Sequence, residues 1–513
     1  MEAGRSRPPK GRRSPPDLVH GWIILDRFVH SRHGDVGDDD VTASEIALTC
    51  SGRRIRVSLR VADPPAVSRL YSHRLDQPWP DAYSLRLPRV VAAHRGSILF
   101  WARVPFEDDE FVVPGYFPVD YFVYTAGAAS PPSLTRLPPC FIDGHTPDPE
   151  DHYFKPYRKQ RQRIMLDENV GFLSHDGDGE FTVANITIRD WSSLNVCILN
   201  HHEGSPSPGQ WTIQRLEMQR TPIRKQMRRK LSKWVNDVVL PLHDRYLCLV
   251  DHYKGILLVD TKELQYFKYI PLPEEAMVRG CRHYEEDDPD PARCALVTCN
   301  GLITLVCIYK AISSKKNKSA PAFIIKSWSL VDIHTSRWLH DFTMEADEFW
   351  NLCAQENQLL PLVTPSFPVV SLVDPHAISF LLKDDDKGLY WLVEVDMRNK
   401  ALLSPAALYI NEEEEERCSG DKHWKFFDGH YFIPSWFTSY LHEDPIQSRQ
   451  LSQMMQKAKQ QRTMHKIGRQ QCGEMLRQER EKQKNGLEAV PNSGGQGKTT
   501  QKAKQERATL PKR

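Results

Sequence analysis

The chain has 513 residues, 40% of them apolar, with 12 Trp, which is enough for two to four domain-sized units and a sizeable core. Its apolar runs, such as Ile256–Val259, are far too short to cross a bilayer, and the basic, Pro-rich N-terminus lacks the apolar stretch of a secretory signal. The 11 cysteines are scattered without a Cys-x-x-Cys pair, which argues against a disulfide framework and for reduced thiols in the cytoplasm or nucleus. Charge is unevenly divided: residues 451–513 hold 15 Lys+Arg against 5 Asp+Glu, leaving 53 basic and 61 acidic residues, a net of -8, in 1–450.

Residues 1–17 read as a disordered basic and Pro-rich leader, and 18–130 as an N-terminal β region. "GWIILDRFV" is a strand, "ASEIALTCSGRRIRVSLRV" a pair joined at Ser51-Gly52, and "VVAAHRGSILFWARV" a pair hinged at Arg95-Gly96. Residues 131–164 form a Pro-rich and basic connector. From 165 to 440 short apolar runs alternate with turn residues, as in "YLCLVDHYKGILLVDT", where two strands flank Lys254-Gly255. Trp191, Trp211, Trp234, Trp328, Trp338 and Trp391 lie in or beside these runs and are expected to be buried between sheets.

"LVDHYKG" (249–255), "LVDIHTS" (330–336) and "LVDPHAI" (372–378) recur, and such strand-to-turn repeats are what propeller blades of roughly 40–50 residues show. The pattern predicts an all-β, β-propeller-like body of short antiparallel strands, with residues 18–125 completing the propeller or packing beside it. Two β-sandwich-like domains are the alternative. Asp444-Pro445 starts a polar helix over 441–485 whose apolar seam is not sustained, and 486–513 is a disordered basic tail.

"GWIILDRFV", "NVGFLSHDGDGEFTVANITI", "GQWTIQRLEM", "KWVNDVVLPLHDRYLCLVDHYKGILLVD" and "YIPLP" together resemble DUF1618, a grass-expanded plant family of unknown function, over about residues 18–440. The same strings resemble kelch-like and F-box-associated propellers. The resemblance implies a propeller-like architecture and carries over no catalytic residue. No F-box helical motif precedes the β region.

Candidate chemistry is sparse. "GGQGKTT" (494–500) has the Gly, Lys and Thr of a phosphate loop, but Asn492 stands where the pattern needs Gly, and no buried strand leads into it. Asp176, Asp178 and Glu180 in "HDGDGEF" suit a hairpin turn better than a Ca²⁺ loop, which needs a Glu at its twelfth position. Cys197, His201 and His202, and the set of Cys281, His283, Cys294 and Cys299, lack zinc-site spacing. Two basic clusters remain, at 155–163 and 220–233. The second supplies Arg224, Lys225, Arg228, Arg229 and Lys230 as contacts for an import receptor or a polyanion.

These observations favour a non-enzymatic interaction scaffold with an unidentified protein partner and no cofactor or metal. The alternatives are a nuclear protein holding nucleic acid weakly through its basic segments, and an enzyme whose site is assembled from distant loops. Membrane association is not expected, and oligomeric state is left open.

Overall fold

The computed structural model describes residues 21–436 apart from 77–87, 105–117, 142–161, 220–230, 279–290, 312–320, 355–359 and 410–431, and shorter stretches at 34–35, 37–39, 127–131, 164, 176–178, 191, 203–208, 232–233, 299–300 and 385–388. The chain divides into two units, Met1–Pro445 and Ile446–Arg513. The second unit, with the polar helix from about 446 onward and the basic tail read from sequence, lies outside the described residues.

The first unit is all-β, as expected, and its described strands build blades, the first four of them four-stranded and antiparallel. Blade 1 comprises β5 (Arg89–His94), β6 (Ser97–Arg103), β7 (Val119–Thr125) and β8 (Ser133–Arg136). Blade 2 is β9 (Val170–Ser174), β10 (Phe181–Asp190), β11 (Ser193–His201) and β12 (Thr212–Met218). Blade 3 is β13 (Val238–Leu242), β14 (Tyr246–Asp251), β15 (Gly255–Asp260) and β16 (Tyr266–Pro271). Blade 4 is β17 (Arg293–Val297), β18 (Ile303–Lys310), β19 (Phe323–Asp332) and β20 (Arg337–Glu345). Blade 5 is β21 (Ser366–Val370), β22 (Ala377–Asp384) and β23 (Leu389–Asp396), edged by β24 (Ala401–Leu402) and β25 (Ala407–Leu408).

Blade 6 joins the two ends of the β region. Its inner strand is β26 (Phe432–Ser435), which pairs antiparallel with β1 (Ile23–His33), Leu25 opposite Ile433. Beyond β1 lie β4 (Val67–Arg74), parallel to it, then β3 (Arg54–Arg60) and β2 (Ala47–Leu48). The inner strands neighbour one another in the order β5, β9, β13, β17, β21, β26 and back to β5, so the described strands close a six-bladed ring. The described strands within 18–125 therefore complete the propeller, as blades 1 and 6, and the two-sandwich alternative does not hold.

Each blade packs on both faces, and this explains why its strands read as continuous apolar runs rather than alternating ones. In β14, Leu247 and Leu249 pack toward blade 2 with Leu173, Ile186 and Val196. Cys248 and Val250, on the opposite face, pack toward blade 4 with Leu305 and Trp328. Burying each such side chain is worth about 1.5–3 kcal/mol. Of the six tryptophans singled out, Trp211, Trp234 and Trp328 are buried. Trp338 and Trp391 are half-buried, and Trp191 lies outside the described residues.

The Leu-Val-Asp recurrence does not mark blades. Its copies fall between β14 and β15, between β19 and β20, and between β21 and β22, three different positions within a blade. The inner strands are instead spaced from 55 residues (Val238 to Arg293) to 81 (Arg89 to Val170), longer than the expected 40–50. Long connections between and within blades cause the difference.

Where inner strands end, turns are tight. His243 takes a left-handed φ of 54°, and Gly301, at φ +72°, lies so close beneath it that an added Cβ would meet the imidazole. Gly179, at φ +82°, has open space around it. Gly179→Ala is expected to cost only the left-handed conformation, about 1–2 kcal/mol, and Gly301→Ala clearly more. Urea unfolding of the two variants measures the difference.

Candidate functional site

The strand directions give the ring two unlike faces. The described strand ends joined by segments longer than ten residues, 34–46, 75–88, 104–118, 137–169, 219–237, 272–292, 311–322, 346–365 and 409–431, lie where inner strands begin, the loop face. Segments on the opposite, turn face are ten residues or shorter, the longest being 202–211. The candidate site is the mouth of the ring on the loop face, where the first residues of the inner strands converge.

A polar belt runs around this mouth from blade to blade. Asp167 opens a single 3₁₀ turn (Asp167–Asn169) leading into β9. Its carboxylate accepts hydrogen bonds from Arg27 of blade 6 at 3.0 Å and from the Trp101 indole of blade 1 at 2.7 Å, with the Arg89 guanidinium at 3.7 Å. The Arg27 and Asp167 side chains are only 4% and 8% exposed, so the pair is held almost free of water. Asn236 donates to Asn169 at 2.7 Å, joining blades 2 and 3, and accepts from Trp234 at 2.6 Å.

Farther around, Asp237 accepts from the His252 backbone N–H at 2.7 Å, and the His252 Nδ1 stands 3.5 Å from the same carboxylate. Arg293 of blade 4 donates to the His252 and Ala276 carbonyls at 2.6 and 3.0 Å and lies 4.0 Å over the Tyr253 ring. Phe367 N–H of blade 5 donates to the Pro291 carbonyl at 2.7 Å. The Tyr409 hydroxyl donates to Asp26 of blade 6 at 3.0 Å, and Arg69 donates to the Tyr409 carbonyl. Asp167 ties blades 6, 1 and 2 together, the Val29 N–H of blade 6 donates to the Pro88 carbonyl at the start of blade 1 at 2.9 Å, and every other junction is bridged by at least one polar contact. In a low-dielectric seam such contacts are strong when made and costly when broken.

On the turn face, the Ser174 N–H donates to His94 Nδ1 at 3.0 Å, and Arg95 of blade 1 pairs with Asp244 of blade 3. Burial, reinforced by the neighbouring Arg95 charge, pushes the His94 pKa down to about 4. His175 is lowered by burial as well.

The sequence candidates that are described do not converge on one site. Arg224, Lys225, Arg228, Arg229 and Lys230, the phosphate-loop string at 494–500, and Cys281, His283 and Cys299 all lie outside the described residues. Asp176 and Asp178 lie outside the described residues, while the strands on either side of them pair antiparallel as β9 and β10, with His175 N–H donating to the Glu180 carbonyl at 2.9 Å. Cys197 is buried against Cys140, His201 stacks on Phe181 at 4.6 Å, and His202 faces Glu180 at 3.6 Å. Among the described residues no three His, Cys, Asp or Glu side chains are grouped to hold a metal. No helix of the described residues is long and apolar enough to cross a membrane. Sequence reading missed Asp26, Asp167 and Asn236. Their partners lie as far as 383 residues away, and no local pattern announces them.

The class this geometry defines is a six-bladed propeller braced by polar contacts at the mouth of its loop face. Residues 250–379, from the end of β14 to β22, match the family described as "Protein of unknown function (DUF1618)". No curated protein matches the chain. Among solved structures, it is similar to a hypothetical selenium-binding protein from Sulfolobus tokodaii at 10% identity and TM-score 0.25, covering 64% of this chain and 81% of that one. It is also similar to a PL25 ulvan lyase at 8% identity and TM-score 0.28, covering 74% and 85%. The fission yeast SREBP-SCAP binding domains share 12% identity at TM-score 0.19, covering 72% and 79%. The six-bladed architecture rests on the strand pairing of this chain itself.

Two tests follow from the mouth and its opposite face. Asp167→Ala removes the buried carboxylate that Arg27 and Trp101 share, and its expected cost is about 3–5 kcal/mol in denaturant unfolding, with Asp167→Asn less severe. For His94, a folded pKa of about 4 against an ordinary 6.5 means that the unfolded chain takes up the proton first. Its contribution to stability is therefore whole above about pH 6.5 and is lost as pH falls toward 4. His94→Asn, which keeps an acceptor for Ser174, should flatten the stability profile over that window, as measured by urea unfolding at pH 7 and 4.5.

Proposed function

We propose that the protein is a non-enzymatic interaction scaffold of the cell interior whose loop face receives a protein partner. The observation that supports this reading is the asymmetry of the two faces: the described strand ends joined by the long connecting segments all lie on one side of the ring. Segments carried on a rigid scaffold are where binding residues concentrate. The acidic and basic side chains at the mouth are committed to bridging blades, which suits a brace better than an acid–base pair poised for chemistry. The seven described cysteines are all thiols, in keeping with a reducing compartment.

Exposed apolar residues occur on both faces and allow a paired test. Leu166 and Leu362, 48% and 53% exposed, lie in loop-face segments, while Val331 and Val373, 40% and 47% exposed, lie at the turn face. Surface substitutions of this kind rarely change stability by more than about 0.5 kcal/mol. In affinity capture with the full chain, Leu166→Glu combined with Leu362→Glu should reduce recovery of a specific partner at least about tenfold. Val331→Glu with Val373→Glu should leave it intact. Loss confined to the turn-face pair would overturn the assignment.

The division of charge supports a second, weaker activity. A tail of 15 basic and 5 acidic residues over 451–513, joined to a body of net -8, suits non-specific polyanion contact. Full-length protein should bind DNA or RNA only at low salt, with affinity falling steeply as salt rises, and a 1–450 truncation should lose the binding. Equal binding by both forms would move the contact to the 155–163 or 220–233 cluster.

A further inference from the structure

Cys140 and Cys197 meet in the seam between blades 1 and 2. Their Sγ atoms are 3.4 Å apart, and both residues are buried, at 2% and 0% exposure. Cys197 lies in β11. Cys140 lies at the start of the connector from blade 1 to blade 2, two residues after Pro138, whose carbonyl accepts the Trp211 indole N–H at 2.8 Å. The far end of the same connector returns to this point, because the Arg163 N–H donates to the Cys140 carbonyl at 2.7 Å. The two thiols thus sit where a long loop-face segment is stitched to the propeller.

The surroundings hold spare polar capacity inside an otherwise apolar cluster that includes Phe172, Val183, Leu199 and Trp211. Asn185 stands directly opposite Cys197 in the β10–β11 ladder, so the two side chains share a face with Cβ atoms about 5 Å apart. Asn185 is 1% exposed, yet neither atom of its amide makes a hydrogen bond among the described residues, and the buried Arg163 Nε is also without one. Either thiol can donate in this contact; with Cys140 S–H as donor, the Cys197 thiol is held below the usual range, and the Arg163 charge acts in the same direction. Cys248, buried elsewhere, is pushed up to about 12.

We propose that Cys140 and Cys197 form a redox-modification site, a reversible dithiol–disulfide pair that locks the connector of the loop face onto β11. With a peroxide as oxidant, the Cys197 thiolate attacks one peroxide oxygen. The O–O bond breaks, a sulfenic acid forms, and the departing hydroxide takes a proton to leave as water. The Cys140 sulfur then attacks the sulfenyl sulfur, and its proton leaves with the displaced hydroxide as a second water. Two thiols and one hydrogen peroxide give one disulfide and two waters. A small dithiol reverses the step by exchange and is itself oxidised to its disulfide. The bond would join residues 57 positions apart, a span over which a cross-link is worth several degrees of melting temperature.

The test treats the full-length protein with hydrogen peroxide, alkylates the remaining thiols and maps the digest by mass spectrometry. The expected result is a linked Cys140–Cys197 peptide and the loss of two alkylatable thiols from the eleven. The melting temperature should rise by about 3 °C or more and return with dithiothreitol. Cys140→Ser and Cys197→Ser should each abolish the link and the shift, and Cys248→Ser should preserve both. Wild-type protein that stays reduced at these two positions, or carries Cys197 to sulfinic acid without a link, would overturn the proposal. So would the same shift in Cys197→Ser. Should either serine variant fail to fold, the linked peptide and its reversal in wild-type protein decide alone.

Discussion

The pairing of β26 with β1 is the constraint on which the rest of this structure depends. Four residues, Phe432–Ser435, supply the innermost strand of a blade whose other strands come from the beginning of the β region. Blades stacked side by side without this closure would expose one face of blade 1 and one of blade 5, each apolar. With it, Trp22, Ile24 and Phe432 join the core shared with blade 5, and Ile23, Leu25 and Ile433 join the core shared with blade 1. One short strand therefore seals two seams, and β1 contributes alternate residues to each.

The polar belt follows from the same geometry. Inner strands begin close together around the axis, so the residues just before or within them, Asp167, Asn169, Asn236, Asp237 and Arg293, are brought within reach of the next blade. Hydrophobic burial holds blades face to face without fixing their register. Directional contacts such as Asp26 with Tyr409 and Asp167 with Arg27 and Trp101 add that specificity. The free edge of β20 is guarded locally: Asp341 sits at a bulge and is tied inward to Ser329 at 2.7 Å, a device that discourages edge-to-edge association.

Much of the fold was legible because local signals and tertiary structure agree. The turns at Arg95-Gly96 and at the start of Gly255, and the apolar runs flanking them, became the hairpins of blades 1 and 3. Blade number was not legible, since connections of 2 to about 30 residues erase any fixed period, and the Leu-Val-Asp strings coincide only in composition. The short helix Ala346–Cys353, which buries Phe349 and Trp350 against blades 4 and 5, was also missed. The mouth of the ring was the least legible part. An Asp in "LDEN" looks like any turn residue until Arg27, 140 positions earlier, arrives beside it.

Closure is tested most directly by native-state hydrogen exchange of the full chain. If β26 is an integral inner strand, the hydrogen-bonded amides of β26 and of its β1 partners around Leu25 will exchange only through global unfolding. They will then share the denaturant dependence of the core strand β18. Exchange of the β26 amides orders of magnitude faster than those of β18, with little denaturant dependence, would mean that the strand opens on its own and that the ring does not rely on it.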